Sequence, residues 1–294
     1  MNLREYLAQQ QHLVDAELGR LVPPETAPPE TIHRAMRYSL FAGGKRIRPI
    51  LCMEAAYVLD DAPEGVAAAA CALELIHTYP LIHDDLPALD NDDYRRGKLT
   101  CHKMFGEAMA ILAGDALLTL AFQVLASLYH VDAARRSGLI AELAAASGTV
   151  GGMIGGQVFD LEGEHQEPGV ELLERIHRAK TGALLRASLR MGAIYAGADE
   201  ARFRALSCYG EHVGLAFQIV DDLLDVEASS EELGKTAGKD AAQHKITFPV
   251  VYGLEESHRM AERECVLAHD ALAPFEGRAA RLHELADLIV HRKS

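Results

Sequence analysis

The sequence predicts an all-α fold, and three observations carry that prediction. Apolar residues fill 49% of the 294 positions, yet aromatics fill only 6% and there is no Trp. Ala and Leu dominate the apolar share, which favours packed helices over a sheet. Apolar residues recur at helical spacing nearly throughout, and no alternating run is long enough for a strand.

The elements follow in order. A first helix spans about residues 2–21, and Val22-Pro23-Pro24-Glu25-Thr26-Ala27-Pro28-Pro29 breaks it. A second, about 30–42, stops at Gly43-Gly44 and leads into the basic loop Lys45-Arg46-Ile47-Arg48-Pro49. Helices then start near Ile50, Ala67, Ala108 and Ala133. The tract 148–157 is rich in Gly but still helical in part, and its small residues let another backbone or a ligand approach closely. Further helices are predicted at about 170–196, 200–226, 246–256, 258–271 and 279–292. With no repeat and no dividing linker, the chain reads as one domain, 1–294, of many helices around a central cavity.

The formal net charge of −14 argues against nucleic acid or an anionic membrane surface as the main partner. Cys52, Cys71, Cys101, Cys208 and Cys265 are odd in number and scattered, as for buried thiols in a reducing compartment. The N-terminal MNLREYLAQQQ is polar and amphipathic, unlike a signal peptide. The longest charge-free apolar run, Ala116 to Tyr129, is too short to span a bilayer. A cytoplasmic protein with no transmembrane segment is expected.

Two aspartate clusters interrupt this apolar pattern. The first is His83-Asp84-Asp85-Leu86-Pro87-Ala88-Leu89-Asp90-Asn91-Asp92-Asp93, followed by Tyr94-Arg95-Arg96. The second is Phe217-Gln218-Ile219-Val220-Asp221-Asp222-Leu223-Leu224-Asp225. Carboxylates crowded on an apolar face repel one another and resist desolvation, so each cluster calls for a cation. Ligands made only of oxygen suit a hard ion, Mg²⁺ before Mn²⁺, shared with substrate phosphates. In the first cluster Pro87 ends the helix, where carboxylates oppose the dipole unless a cation binds. An EF-hand lacks its Gly and Glu at the needed offsets. A phosphohydrolase reading of His83-Asp84 leaves the second cluster unexplained. In the second cluster Asp221 and Asp225, four apart, share a helix face with Asp222 beside them.

The cations are local. Arg95 and Arg96 offer forks suited to phosphate. Lys45, Arg46 and Arg48 form a second island, whose bland role is to complement the C-terminal dipole of helix 30–42. Lys180, Lys235, Lys239 and Lys245 form a third set. His77, two turns before Asp84, is as well placed for a phosphate contact as for the core. Together these residues suggest one metal-assisted and one metal-free anion site. No nucleophile elbow, Walker loop or Cys/His dyad supports covalent or P-loop chemistry.

At this point GGKRIRP (43–49), HTYPLIHDDLPALDNDDYRRG (77–97), HKMFGEAMAILAGDALL (102–118), GGQVFDL (155–161), KTGALL (180–185), FQIVDDLLD (217–225) and LGKTAGKDAAQHKITFP (233–249) stand in one order. The chain resembles the short-chain trans-prenyl diphosphate synthases, in particular the bacterial farnesyl and geranylgeranyl enzymes. The resemblance implies the isoprenoid synthase fold, an antiparallel helical bundle around a deep cavity, and a homodimer. It implies that Asp84, Asp85, Asp90, Asp221, Asp222 and Asp225 hold Mg²⁺ on an allylic diphosphate, which Arg95 also contacts. Lys45, Arg48, His77 and Arg96 would bind isopentenyl diphosphate, and Lys180, Thr181, Gln218, Lys235 and Lys245 would line the allylic site. Tyr79, with Pro80 beside it as a departure from the family pattern, would set chain length. Farnesyl diphosphate is the expected product, with geranylgeranyl diphosphate the main rival and geranyl diphosphate third. Two other readings, a silent regulatory subunit and a terpene cyclase, fit less well: every expected Asp, Arg and Lys is present. The tract 227–232, between the second cluster and Lys235, is expected to order on substrate binding.

Overall fold

Residues 1–61, 63–163, 169–227 and 246–292 are described by the computed structural model of the chain. The chain divides into two compact units: residues 1–53 with 64–140, and residues 54–63 with 141–294. Helices α3 (Ile47–Tyr57) and α7 (Ala133–Ser147) each contribute residues to both. The fold is all-α, as expected.

In the first unit, α1 (Leu3–Leu21) opens on a capping box: the Asn2 side chain accepts from the Glu5 N–H, and Glu5 reaches back to the Asn2 N–H. Helix α2 (Glu30–Leu40) follows the proline break. Helix α4 (Val66–Asp84) is apolar around most of its circumference, and most of its residues from Val66 to Ile82 are buried, which marks it as the central element of this unit. It packs on α1, α2 and α6 (Glu107–Ala126). Gly114 of α6 lies against the His83 ring, with no room for a Cβ, and so lets the two helices close together. Helix α4 runs on through Pro80, so this proline does not end the helix above Asp84. Both α4 and α6 have the length and apolarity of a membrane span, but most of α4 is buried inside the protein.

Two small elements of this unit went unpredicted. Tyr94–Arg95 and Lys98–Leu99 form an antiparallel hairpin, β1 and β2, across a turn in which Arg96 and Gly97 both have positive φ. A short helix, α5 (Cys101–Phe105), follows it.

In the second unit, α8 (Met153–Gly163) follows the glycine tract and α9 (Val170–His177) comes next. The helix predicted over 170–196 is interrupted by a π-helical turn, Arg178–Gly182, before α10 (Ala183–Ala196). Helix α11 (Glu200–Glu227) is the longest described. Its Gly210 and Gly214 pack against Arg186 and Gly182, so the backbones of α10 and α11 meet closely. Gly253, at φ 80°, separates α12 (Phe248–Tyr252) from α13 (Leu254–Ala271), a break four residues earlier than predicted. A 3₁₀ turn, Ala273–Ala279, leads into α14 (Ala280–Val290). Leu173, Ile219, Val220, Leu223, Ile246, Phe248 and Ala261 form a buried cluster behind the second set of aspartates.

Candidate functional site

The first aspartate cluster sits where α4 ends. Asp84 is the last helical residue and Asp85 is its C-cap. The following loop folds back on the helix end: the Asp90 N–H donates to the Asp84 carbonyl at 2.8 Å, and the Asp92 N–H to the Asp85 carbonyl at 3.1 Å. Carbonyls left over by the helix are thereby satisfied, and Asp90 is returned to the side of Asp84. Asp85 is buried, which pushes its carboxyl pKa up, while Arg95 pulls it back. Arg95 forks onto it, with Nη2 at 2.7 Å and Nε at 2.9 Å from Oδ1. This grip comes from β1, so the hairpin missed in the sequence is what aims Arg95.

The turn of the same hairpin sends Arg96 elsewhere. Its guanidinium donates to the Gly43 carbonyl and lies against Gly44, where a Cβ would meet Nη1 at 2.6 Å. Gly43 and Gly44 hold φ values of 102° and 135°, which a side chain would resist. Arg46 is a structural hub. Fully within the protein, it donates to Asp15 of α1 at 2.8 Å, Glu74 of α4 at 2.7 Å and the Leu40 carbonyl at the end of α2 at 2.7 Å. The bland reading of the basic island thus holds for Arg46, and it fixes the loop that carries Lys45 and Arg48.

His77 is where these cations converge. Burial first, then repulsion from Arg48, Arg96, Arg95 and Arg46, holds its pKa well below the usual range. The ring is neutral at pH 7 and stands among four guanidinium groups in a chain of net charge −14. A recess nearby is lined by Tyr38, Thr78, Asp85, Arg95 and Arg96. Tyr79 is buried with its ring edge-on to His83, 5.8 Å between centroids. Burial, then the Asp84 charge, pushes its pKa up to about 12. Its hydroxyl has no hydrogen-bond partner among the described residues, so the side chain is held there by packing.

The second cluster lies on α11. Asp221 and Asp225 lie about 40° apart around the continuous helix, with Asp222 beside them. Burial separates the three: Asp222 and Asp225 are buried and Asp221 is exposed. Asp222 accepts from the Phe248 backbone N–H at 2.9 Å and from the Gln218 amide at 2.7 Å. Asp221 accepts from Arg292 at 2.6 Å, and that guanidinium also lies 3.9 Å over the Phe217 ring.

Lys180 occupies the π turn and reaches Asp160 of α8 at 2.5 Å, with Thr181 beside it. Gly156 of α8 rests on the Lys180 backbone with no room for a Cβ. The close approach expected of the glycine tract is therefore made to a site residue. A widened π turn inside an α-helix often marks such a place. His177, one turn earlier, stacks on Phe248 and lies 3.6 Å from Asp222, and burial lowers its pKa to about 4. Asp160, His177 and Arg292 were not singled out from sequence. Lys235, Lys239, Lys245 and the tract beyond Glu227 lie outside the described residues.

The donors of both clusters are carboxylate oxygens, the ligand type a hard divalent ion takes, two adjacent in sequence with a third on the following loop or the next helical turn.

The polyprenyl synthetase family model matches residues 29–272. The chain is 49% identical to a dimethylallyltranstransferase of Fischerella ambigua, over 99% of this chain and 84% of that protein. It is 45% identical to a geranylgeranyl diphosphate synthase of Cyanophora paradoxa, over 100% and 97% of the two chains. The crystal structure of an FPP/GFPP synthase from Zymomonas mobilis, 37% identical, superimposes with a TM-score of 0.86 over 98% of this chain and 99% of that one. The sequence, the fold and both aspartate clusters agree, and the chain belongs to the polyprenyl synthetase family, the trans-prenyl diphosphate synthases.

Proposed function

We propose that this prenyltransferase condenses isopentenyl diphosphate head to tail with dimethylallyl and geranyl diphosphates, and that its main product is farnesyl diphosphate. The observation that supports the isopentenyl site is the gathering of Arg48 and Arg96 around a neutral His77, with Arg95 and Arg46 held nearby by Asp85 and by Asp15 and Glu74. That setting suits an anion. Lys45, Arg48, Arg96 and His77 bind this diphosphate in our reading.

Asp84, Asp85 and Asp90 in one unit, and Asp221, Asp222 and Asp225 in the other, are the residues that would hold Mg²⁺. Bound Mg²⁺ would supply positive charge against the departing allylic diphosphate. Arg95, Lys180, Thr181 and Gln218, with Lys235 and Lys245, bind and orient that group. Heterolysis of its C–O bond leaves an allylic cation, which the isopentenyl double bond attacks. The proton then lost goes, in this reading, to the departed diphosphate. In this reading the closed site excludes water that would capture the cation.

Tyr79 supports the farnesyl reading. It is large, buried and one turn and a half above Asp84, where a growing chain would meet it. Several relatives are named geranylgeranyl synthases, so the product is the point to test. Purified protein is incubated with Mg²⁺, isopentenyl diphosphate and each allylic primer, and the dephosphorylated products are sized by mass spectrometry. A C15 product supports the reading, and a C20 main product replaces it with the geranylgeranyl one. Tyr79→Ala should shift the product longer, and an unchanged length would remove Tyr79 as the stop. We also propose a homodimer. The exposed Ile111 and Leu112 on α6 favour it, and light scattering would test it.

A further inference from the structure

We propose that Cys265, His269 and Asp287 form a site for a zinc-class divalent cation, separate from the aspartate clusters. Cys265 and His269 are one turn apart on α13, and His283 and Asp287 are one turn apart on α14. The two helices thereby bring a thiol, an imidazole and a carboxylate to one point. Cys265 Sγ lies 3.6 Å from His269 Nε2 and 3.7 Å from Asp287 Oδ1, and those two are 2.8 Å apart.

A tetrahedral cation with metal–sulfur bonds of about 2.3 Å and metal–nitrogen or metal–oxygen bonds of about 2.0 Å separates its ligands by roughly 3.3–3.6 Å. The two sulfur edges already have that length. The third must open by about half an ångström, and Asp287 can supply it because its side chain is 54% exposed. Mixed sulfur and nitrogen donors select zinc-class ions over Mg²⁺.

The outer partner is present too. His269 Nδ1 is 2.6 Å from His283 Nδ1, and the rings stack 4.9 Å apart. With the proton of that contact on His269 Nδ1, Nε2 is left bare for a metal. In the metal-free protein the same ring instead donates from Nε2 to Asp287. Binding therefore shifts His269 from its Nε2–H to its Nδ1–H form and His283 from its Nδ1–H to its Nε2–H form, by exchange with water, and releases the Cys265 thiol proton to water. A fourth position stays open to solvent through Asp287. The site would clamp α14 onto α13.

The test uses full-length protein, stripped with a chelator and kept reduced, titrated with Co²⁺. Wild type should develop a thiolate-to-cobalt charge-transfer band that saturates at one Co²⁺ per chain and is bleached by Zn²⁺. The aspartate clusters contain no sulfur and cannot produce it. Cys265→Ser should abolish the band, Cys208→Ser should keep it, and His283→Gln should weaken binding by about 10–100-fold. Asp287→Asn, at an exposed position, should weaken it without loss of fold. Zn²⁺ should raise the Tm of wild type and not that of Cys265→Ser. No band in wild type, or a band that survives Cys265→Ser, overturns the proposal.

Discussion

The two aspartate clusters bury a carboxylate in different ways. In the first, Asp85 is gripped by a guanidinium delivered from a hairpin, and three further arginines gather around His77 close by. In the second, Asp222 is gripped by the backbone N–H that opens α12 and by an amide one turn back on its own helix. A charged side chain holds the first buried carboxylate, and a backbone N–H with a neutral amide holds the second. The difference teaches that Asp85 depends on a partner charge, whereas Asp222 depends on where the fold brings the start of α12.

The comparison can be broken most severely at the buried carboxylates. Asp85→Asn and Asp222→Asn should each lower kcat by about 10²–10³-fold, as the loss of one preorganised charge does. Their stabilities should differ. Asn at 222 still accepts from the Phe248 N–H, so the melting temperature should stay near wild type. Asn at 85 no longer balances Arg95, and the melting temperature should fall. Equal melting temperatures would mean that the two grips are not different in kind.

Arg48→Ala should raise KM for isopentenyl diphosphate by about 10–100-fold, the range of a hydrogen bond to a charged group, and leave the allylic KM nearly unchanged. Steady-state kinetics with each substrate varied in turn checks this.

His177 gives a pH signature to the second unit alone. Its native pKa is about 4, below the unfolded value near 6.5. Above pH 6.5 the ring is neutral in both states. As pH falls from 6.5 to 4 the unfolded chain takes up a proton that the native one refuses, so stability falls, by on the order of 3 kcal/mol at the lower end. His177→Phe, which keeps the stack on Phe248, should flatten that part of the stability curve in urea unfolding. An unchanged slope would show that His177 is not the group responsible.

A backbone clash tests the second unit in another way. Gly156→Ala would set a Cβ far inside van der Waals contact with the Lys180 N, so α8 and the π turn must move apart; the allylic KM should rise and the melting temperature fall, with the isopentenyl KM unaffected.

Much of this was legible from residues. Adjacent carboxylates in apolar helices are costly enough to stand out without any structure, and the end of α4 at Asp84 and Asp85 follows from Pro87. The hairpin was not legible because strands of two residues carry no period, although Arg96-Gly97 between Tyr94-Arg95 and Lys98-Leu99 held the turn signal. The π turn at Lys180 was hidden because one extra residue in a helix barely changes the apolar spacing. The burial of Asp222 and Asp225 rather than Asp221 is set by which side of α11 meets Ile246 and Phe248, which sequence spacing leaves open. His177, Asp160 and Arg292 are single residues whose roles appear only with their partners.

The most direct measurement is calorimetric binding of isopentenyl diphosphate without Mg²⁺ to wild type, Arg48→Ala and Asp222→Asn. The account predicts that wild type and Asp222→Asn bind it equally and that Arg48→Ala does not. Binding that requires Mg²⁺, or that is lost in Asp222→Asn while Arg48→Ala retains it, would contradict the division of labour between the two units.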